Sequence, residues 1–218
     1  MKIIELELLT DDLEATARFY NGTLGLPFIG STPQTRVFSV GDSMLTFRKS
    51  ENQNPVYHVA FNIQHDKLYQ SLEWLSEKVE PLFLPDGGHV ADFSDWDANA
   101  FYFKDNNGNI LEFIARYGIE LEEDKPFDDQ SILSISEIGL VVEDPMSFAS
   151  DLFVNHNLDY FVKSKPVKEF VVLGDDYGLF IIVPHQRHWY PTAIPAISFP
   201  TRVTVMLGEV VKTFLFPQ

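Results

Sequence analysis

A strand followed by an amphipathic helix recurs three times in this chain, and the recurrence limits the possible folds more than any other feature. Residues 3–9 alternate, with Ile4, Leu6 and Leu8 on one face and Glu5 and Glu7 on the other. A period of two marks a strand. Thr10 can then cap a helix in which Leu13, Thr16, Ala17 and Tyr20 fall at helical spacing. Residues 56–63 alternate again, Val59, Phe61 and Ile63 against His58, Ala60 and Asn62, before a stripe of Leu68, Leu72, Leu75 and Val79. The third copy runs through residues 136–142, with Pro145 at a first helical position and Phe148 and Leu152, or Ala149 and Phe153, turned inward. Short strand candidates follow each helix: Phe28, 36–40 and 43–48; then 81–84, 100–104 and 110–116; then 159–162, 169–173 and 179–183. Each unit reads β-α-β-β-β over roughly fifty residues, a period of repeat architecture. After Pro184 only strands at 202–207 and 210–216 remain, broken by Gly208. The expectation is an α+β fold of repeated β-α-β-β-β modules, with a third module and a degenerate remnant in residues 134–218. Residues 117–133 carry Glu120, Glu122, Glu123, Asp124, Asp128 and Asp129 against one lysine, so they are expected to be an acidic linker.

The stretch 101–113 points to a site. Asn107-Gly108 supplies the positive φ of a tight turn between two strands. In the second strand Glu112 shares a face with Ile110 and Ile114, opposite Leu111 and Phe113. An acid among isoleucines is costly unless a metal, a donor or water compensates it.

Composition narrows the partners. The 218 residues include 19 Phe and 45% hydrophobic residues, enough for a sizeable core. A net charge of −16 argues against nucleic acid, whose phosphates need Lys and Arg, and against anionic membranes. The absence of cysteine excludes disulfides, thiolate catalysis and Cys-ligated zinc. Glu5 and Glu7 interrupt the first apolar run, which makes it a poor signal peptide, so a soluble cytoplasmic protein is expected. No phosphate loop, nucleophile elbow, nucleotide or flavin motif occurs. A small-molecule ligand remains, with a monomer or homodimer as the assembly.

Residues 12–20, Asp-Leu-Glu-Ala-Thr-Ala-Arg-Phe-Tyr, followed by Leu24-Gly25-Leu26, resemble the first helix and "FY…LGL" signature of the vicinal oxygen chelate superfamily, the glyoxalase/bleomycin resistance/dioxygenase fold. Residues 105–112, Asp-Asn-Asn-Gly-Asn-Ile-Leu-Glu, resemble its "DPdGNxxE" hairpin, with Asn106 in place of the usual proline, and residues 96–103 resemble the lead-in strand. The resemblance implies that residues 1–116 pair two modules into a curved-sheet cup, with metal ligands from first and last strands. The matching positions are Glu5 and His58, then Thr46 and Glu112. Glu5, His58 and Glu112 become the implied ligands of a divalent zinc, nickel, manganese or iron, with Glu112 and Glu5 as candidate catalytic acids and bases. Thr46 departs from the ligand pattern, and one imidazole disfavours a ring-cleaving dioxygenase. The implied function is a glyoxalase-like lyase or isomerase acting on a small oxygenated molecule. The alternative is a metal-free sequestering protein of the bleomycin-resistance type, in which His58 is a cavity-wall residue and Glu112 pairs with Arg48 or Arg116.

Glu7, Thr46, Phe47, Trp96 and Tyr102 complete the expected pocket, although such aromatics also serve as core. His185 and His188 could share a metal but read as an exposed loop, His89 as a turn, and His65 and His156 as surface residues. Glu137 is the third-copy counterpart of Glu5, but the last strand of its own module carries no acid.

Overall fold

The computed structural model describes residues 1–51, 53–119 and 124–217. Each module lays its first strand parallel to its last, with the helix crossing between them. In the first, β1 (Lys2–Thr10) leads through α1 (Leu13–Ala17), which continues as a wider turn over Arg18–Thr23, to β2 (Phe28–Thr32), β3 (Thr35–Val40) and β4 (Ser43–Lys49). Asp12 caps α1 by accepting from the backbone N–H groups of Glu14 and Ala15, the role the sequence pattern assigned to Thr10. The second holds β5 (His58–Ile63), α2 (Leu68–Ser76), β6 (Val90–Phe93), β7 (Ala98–Lys104) and β8 (Ile110–Arg116). The third holds β9 (Ile132–Val142), α3 (Pro145–His156), β10 (Val171–Asp175) and β11 (Gly178–Pro184), and a hairpin of β12 (Thr201–Leu207) and β13 (Val210–Phe216) ends the fold. β1 runs parallel to β4, β5 to β8 and β9 to β11.

Two strand expectations moved. Residues 81–84 form no strand; the Leu82 N–H donates to the Tyr102 carbonyl instead, and the strand of that module is β6. In residues 159–162 only Tyr160 bridges to Leu173.

The pairing of modules differs from a cup confined to residues 1–116. The central order is β4-β1-β9-β5-β8-β7, so β9 of the third module stands between β1 and β5. β5 pairs antiparallel with β9 over five positions, from Val59↔Ile138 to Ile63↔Ile132. β1 pairs antiparallel with β12, the first strand of the remnant. All six residues of β5 are buried, which requires neighbours on both edges and cover on both faces. The second and third modules therefore close one curved part of the 13-stranded sheet, and the first module closes a second with the C-terminal hairpin; β1 and β9 join the two at Ile3↔Ile135.

One apolar core runs beneath both sheets, from Leu6, Tyr20 and Phe47 through Phe61, Phe101 and Phe113 to Ile138, Phe180 and Phe214. The motif residues lie on this side. Asp105 accepts from the Tyr20 hydroxyl at 2.7 Å and from the backbone N–H groups of Asn107 and Asn109 at 2.9 Å. Gly108 takes φ +82° in that turn. The signature thus ties the first module to the second and organises a hairpin. The acidic segment is also packed: Phe127 is buried against Trp74 and Phe113, at ring separations of 5.3 and 6.0 Å. Glu120, Glu122 and Glu123 lie outside the described residues.

Candidate functional site

The site follows from strand register. Ala60, in the middle of β5, is opposite Glu112 on β8 and opposite Glu137 on β9. Neighbouring strands are about 4.8 Å apart, so two glutamates reach toward each other over the single methyl of Ala60. His58 is two residues back on the same face and joins them. The β5–β9 register shifts between Ala60 and Phe61, a bulge beside the site that lets both carboxylates converge on one point. His58, Glu112 and Glu137 each offer a ligand atom within 4.8 Å of the others, and all three are buried.

The polar bonding is directional. His58 Nδ1 lies 3.3 Å from the Ile110 carbonyl, which can only accept, so Nδ1 is oriented to donate to it. Nε2 then faces Glu112 Oε2 at 3.5 Å and Glu137 Oε2 at 3.8 Å. A ring nitrogen facing two carboxylate oxygens calls for a cation or a proton between them. Ligand bonds near 2.1 Å place neighbouring donors about 3–3.5 Å apart, close to these separations. A histidine held by a carbonyl at its second nitrogen is the usual arrangement of a metal ligand. The donor set fits a divalent cation.

Arg116 distinguishes the two acids. It is wholly buried at the end of β8, donates to Glu137 Oε1 and, from Nε, to Ser136 Oγ at 3.3 Å. Its Nη1 lies 3.8 Å from Asp176 Oδ1, and Lys163 holds Asp176 at 2.9 Å. Glu137 therefore keeps one oxygen on Arg116 and turns the other to His58. Glu112 has no such partner. Burial pushes its carboxyl well above the usual glutamate range and the neighbouring Glu137 charge adds to this, while Arg116 and the Tyr102 hydroxyl oppose it. Burial likewise pushes the Tyr102 phenol up, with Glu112 and Glu137 contributing.

These residues open into a cavity of about 350 Å³ walled by Phe93, Trp96, Tyr102, Phe170, Trp189 and Tyr190. Trp189 comes from residues 185–200, which fold back on themselves: Trp189 donates its backbone N–H to the Ile194 carbonyl and Ala196 donates to Arg187. The indole lies 5.3 Å from the His58 ring at 32°. It fits because β9 has Gly139 beneath it; a Cβ there would come within 2.4 Å of the ring.

Of the residues expected at the site, His58, Glu112, Trp96 and Tyr102 come together here. Glu5 does not join the ligand group; it faces Arg202 and the Thr204 hydroxyl, both at 3.2 Å. Glu7 pairs with Arg48 at 2.9 Å, and Thr46 lies opposite Glu7 on β4. Phe47 is core, 4.7 Å from the Tyr20 ring. The reason is the module pairing: β1 borders β12, so the first-strand acid facing His58 is Glu137. Register alone would have revealed Glu137. Arg116, expected as a possible partner of Glu112, pairs with Glu137 instead. Trp189, Tyr190 and Arg187 lie in a segment without periodicity. His185 and His188 are exposed, and His185 faces Glu143 at 3.7 Å.

A family model for the glyoxalase/bleomycin resistance protein/dioxygenase superfamily matches residues 2–113, just over half of the 218. The chain belongs to this superfamily. A putative dioxygenase from Bacillus subtilis superposes with a TM-score of 0.60 at 20% identity, over 84% of this chain and 63% of that one. The chain thus spans less than two thirds of that protein's length, and the likeness is one of fold. A glyoxalase/bleomycin resistance protein/dioxygenase from Nocardioides gives a TM-score of 0.44 at 21% identity, over 57% of this chain and 90% of its own. A lactoylglutathione lyase from Agrobacterium tumefaciens gives 0.38 at 23% identity, over 51% and 91%. No curated protein matches the chain. Among the described residues no helix is long and apolar enough to cross a membrane.

Proposed function

We propose that this superfamily member is a metal-dependent enzyme of the lyase or isomerase type, acting on a small oxygenated molecule in the cavity between β5, β8 and β9. The observation that carries the reading is His58 Nε2 turned toward two carboxylate oxygens, with Nδ1 held by a backbone carbonyl. A divalent cation held by His58, Glu112 and Glu137 would supply Lewis-acid polarisation of a substrate carbonyl. Glu137 is fixed by Arg116. Glu112 is the acid with the freedom to take and return a proton, because no arginine or lysine among the described residues hydrogen-bonds it; the Tyr102 hydroxyl and His58 Nε2, at 3.5 Å, orient it. The aromatic walls keep water from that proton. A ring-cleaving dioxygenase is disfavoured, since His58 is the one imidazole lining the cavity.

A second reading has its own support. Glu137 is paired with Arg116, and burial favours the protonated form of Glu112, so the cavity has a charge-balanced arrangement without a cation, as a metal-free sequestering protein would need. Elemental analysis of untagged protein purified without chelator separates the two. The enzyme reading expects near-stoichiometric metal, a rise in melting temperature on adding the ion to stripped protein, and loss of that rise in His58→Ala. Stripped protein that melts at one temperature with and without zinc, manganese, nickel or iron leaves the binding protein as the function.

A further inference from the structure

Arg187 stands at the outer rim of the same cavity, half-buried, and is the one arginine or lysine among the described residues lining it. Its guanidinium lies 5.0 Å from the Phe170 ring, and its one hydrogen bond is a long one, 3.4 Å from Nη1 to the His188 carbonyl. No carboxylate among the described residues is within ion-pair range of it. A guanidinium is a planar fork of five donors that matches a carboxylate bidentately, and here most of the fork is open.

Charge accounting gives the same answer. The chain carries −16, yet beside this cavity Glu137 is paired with Arg116 and Asp176 with Lys163, and Glu112 faces His58. Arg187 is in ion-pair contact with no carboxylate among the described residues, and Glu169 acts on it only at longer range. The walls supply six aromatic rings, and about 350 Å³ is at the small end of ligand cavities, suited to a single- or double-ring compound.

We infer that the cavity takes a planar organic anion, a ring or conjugated system bearing a carboxylate, with Arg187 holding the carboxylate at the rim and the aromatic walls holding the plane. This rests on the cavity of the preceding reading, and not on its metal.

The test is calorimetric titration of chelator-stripped protein with cinnamate and with its uncharged isostere cinnamamide. Cinnamate should bind about tenfold tighter, the scale of a charge-assisted hydrogen-bonded pair. Arg187→Gln should erase that difference while cinnamamide binds as before, and Arg187→Lys should keep part of it. Equal affinities in the wild type, a preference that survives in Arg187→Gln, no binding of cinnamate, or loss of cinnamamide binding in both variants overturns the inference. Repeating the titration with manganese(II) added separates it from the metal reading: failure of the metal leaves the preference in stripped protein intact.

Discussion

The two halves of this molecule repeat one plan with opposite chemistry. On β1, β4 and β12 the face bearing Glu5, Glu7 and Thr46 is crossed by Arg48 and Arg202, whose side chains are 47% and 40% exposed. On β5, β8 and β9 the corresponding face bears His58, Glu112 and Glu137, none more than 7% exposed, with Arg116 wholly buried. What differs is cover. Residues 185–200 press Trp189 and Tyr190 onto the second sheet, whereas the hairpin β12–β13 closes only the edge of the first. Water screens the first set of charges, and their ion pairs mean little. In the second, every charge must be matched, and a mismatch becomes a binding property.

The hairpin offers the largest perturbation. Deleting residues after Pro200 removes β12 from the edge of β1 and takes Phe214 and Phe216 from Phe180, at ring separations of 5.9 and 6.0 Å. An uncovered edge and an uncovered apolar face lead to association. The truncated protein is expected to aggregate on size-exclusion chromatography; a soluble monomer of unchanged melting temperature would show that the first sheet stands without its remnant.

Next come the two arginines. Arg116→Met strands Glu137 in the interior and should cost about 3–5 kcal/mol in urea unfolding, with much of it recovered by adding Glu137→Met. Arg202→Met removes a partner of Glu5 on the exposed sheet and should cost about 1 kcal/mol or less. Equal costs would erase the contrast between the sheets.

The contrast sharpens with metal. At a hundredfold excess over Kd, a bound ion stabilises by about 2.7 kcal/mol. Glu137→Gln should lose most of that gain, while Glu5→Gln and Glu7→Gln keep it. A gain that follows Glu5 in thermal melts would return the ligand role to the first module.

This contrast shows where sequence reasoning reached and where it stopped. The strands and helices were legible because alternation and helical spacing are local. The superfamily was legible through residues that here build a hairpin and its tether: Tyr20, Asp105, Gly108 and Asn109. Their role is structural, so they pointed to the architecture and away from the chemistry. His58 and Glu112 were legible as polar residues on an apolar face. Glu137 was legible only as a counterpart of Glu5, because a β-α-β-β-β pattern is the same whichever module it pairs with. The choice of β9 over β1 as the neighbour of β5 is made by contacts far apart in the chain, and a wrong neighbour exchanges one glutamate for another. Arg187 and Trp189 follow no period, and their place over the cavity depends on Gly139, which lies about fifty residues earlier in a different strand.

The last effect is a slope against pH, and it belongs to Glu112 in the metal-free protein. Burial, then Glu137, raises its carboxyl well above the ordinary glutamate value of 4.5, which the unfolded chain retains. Between those two values the folded protein holds a proton that the unfolded chain has released. Stability from this group is therefore complete below pH 4.5 and is lost as pH rises through the folded value. One proton sets the limit at about 1.4 kcal/mol per pH unit. Urea unfolding of stripped protein at successive pH values should show this fall, and Glu112→Gln, neutral throughout, should flatten it while Glu5→Gln leaves it in place. Adding the metal should also flatten it, because a ligated Glu112 is ionised whenever the protein is folded. A stripped protein whose stability is as flat as that of Glu112→Gln would mean that Glu112 is hydrated, and that the covered sheet is no drier than the open one.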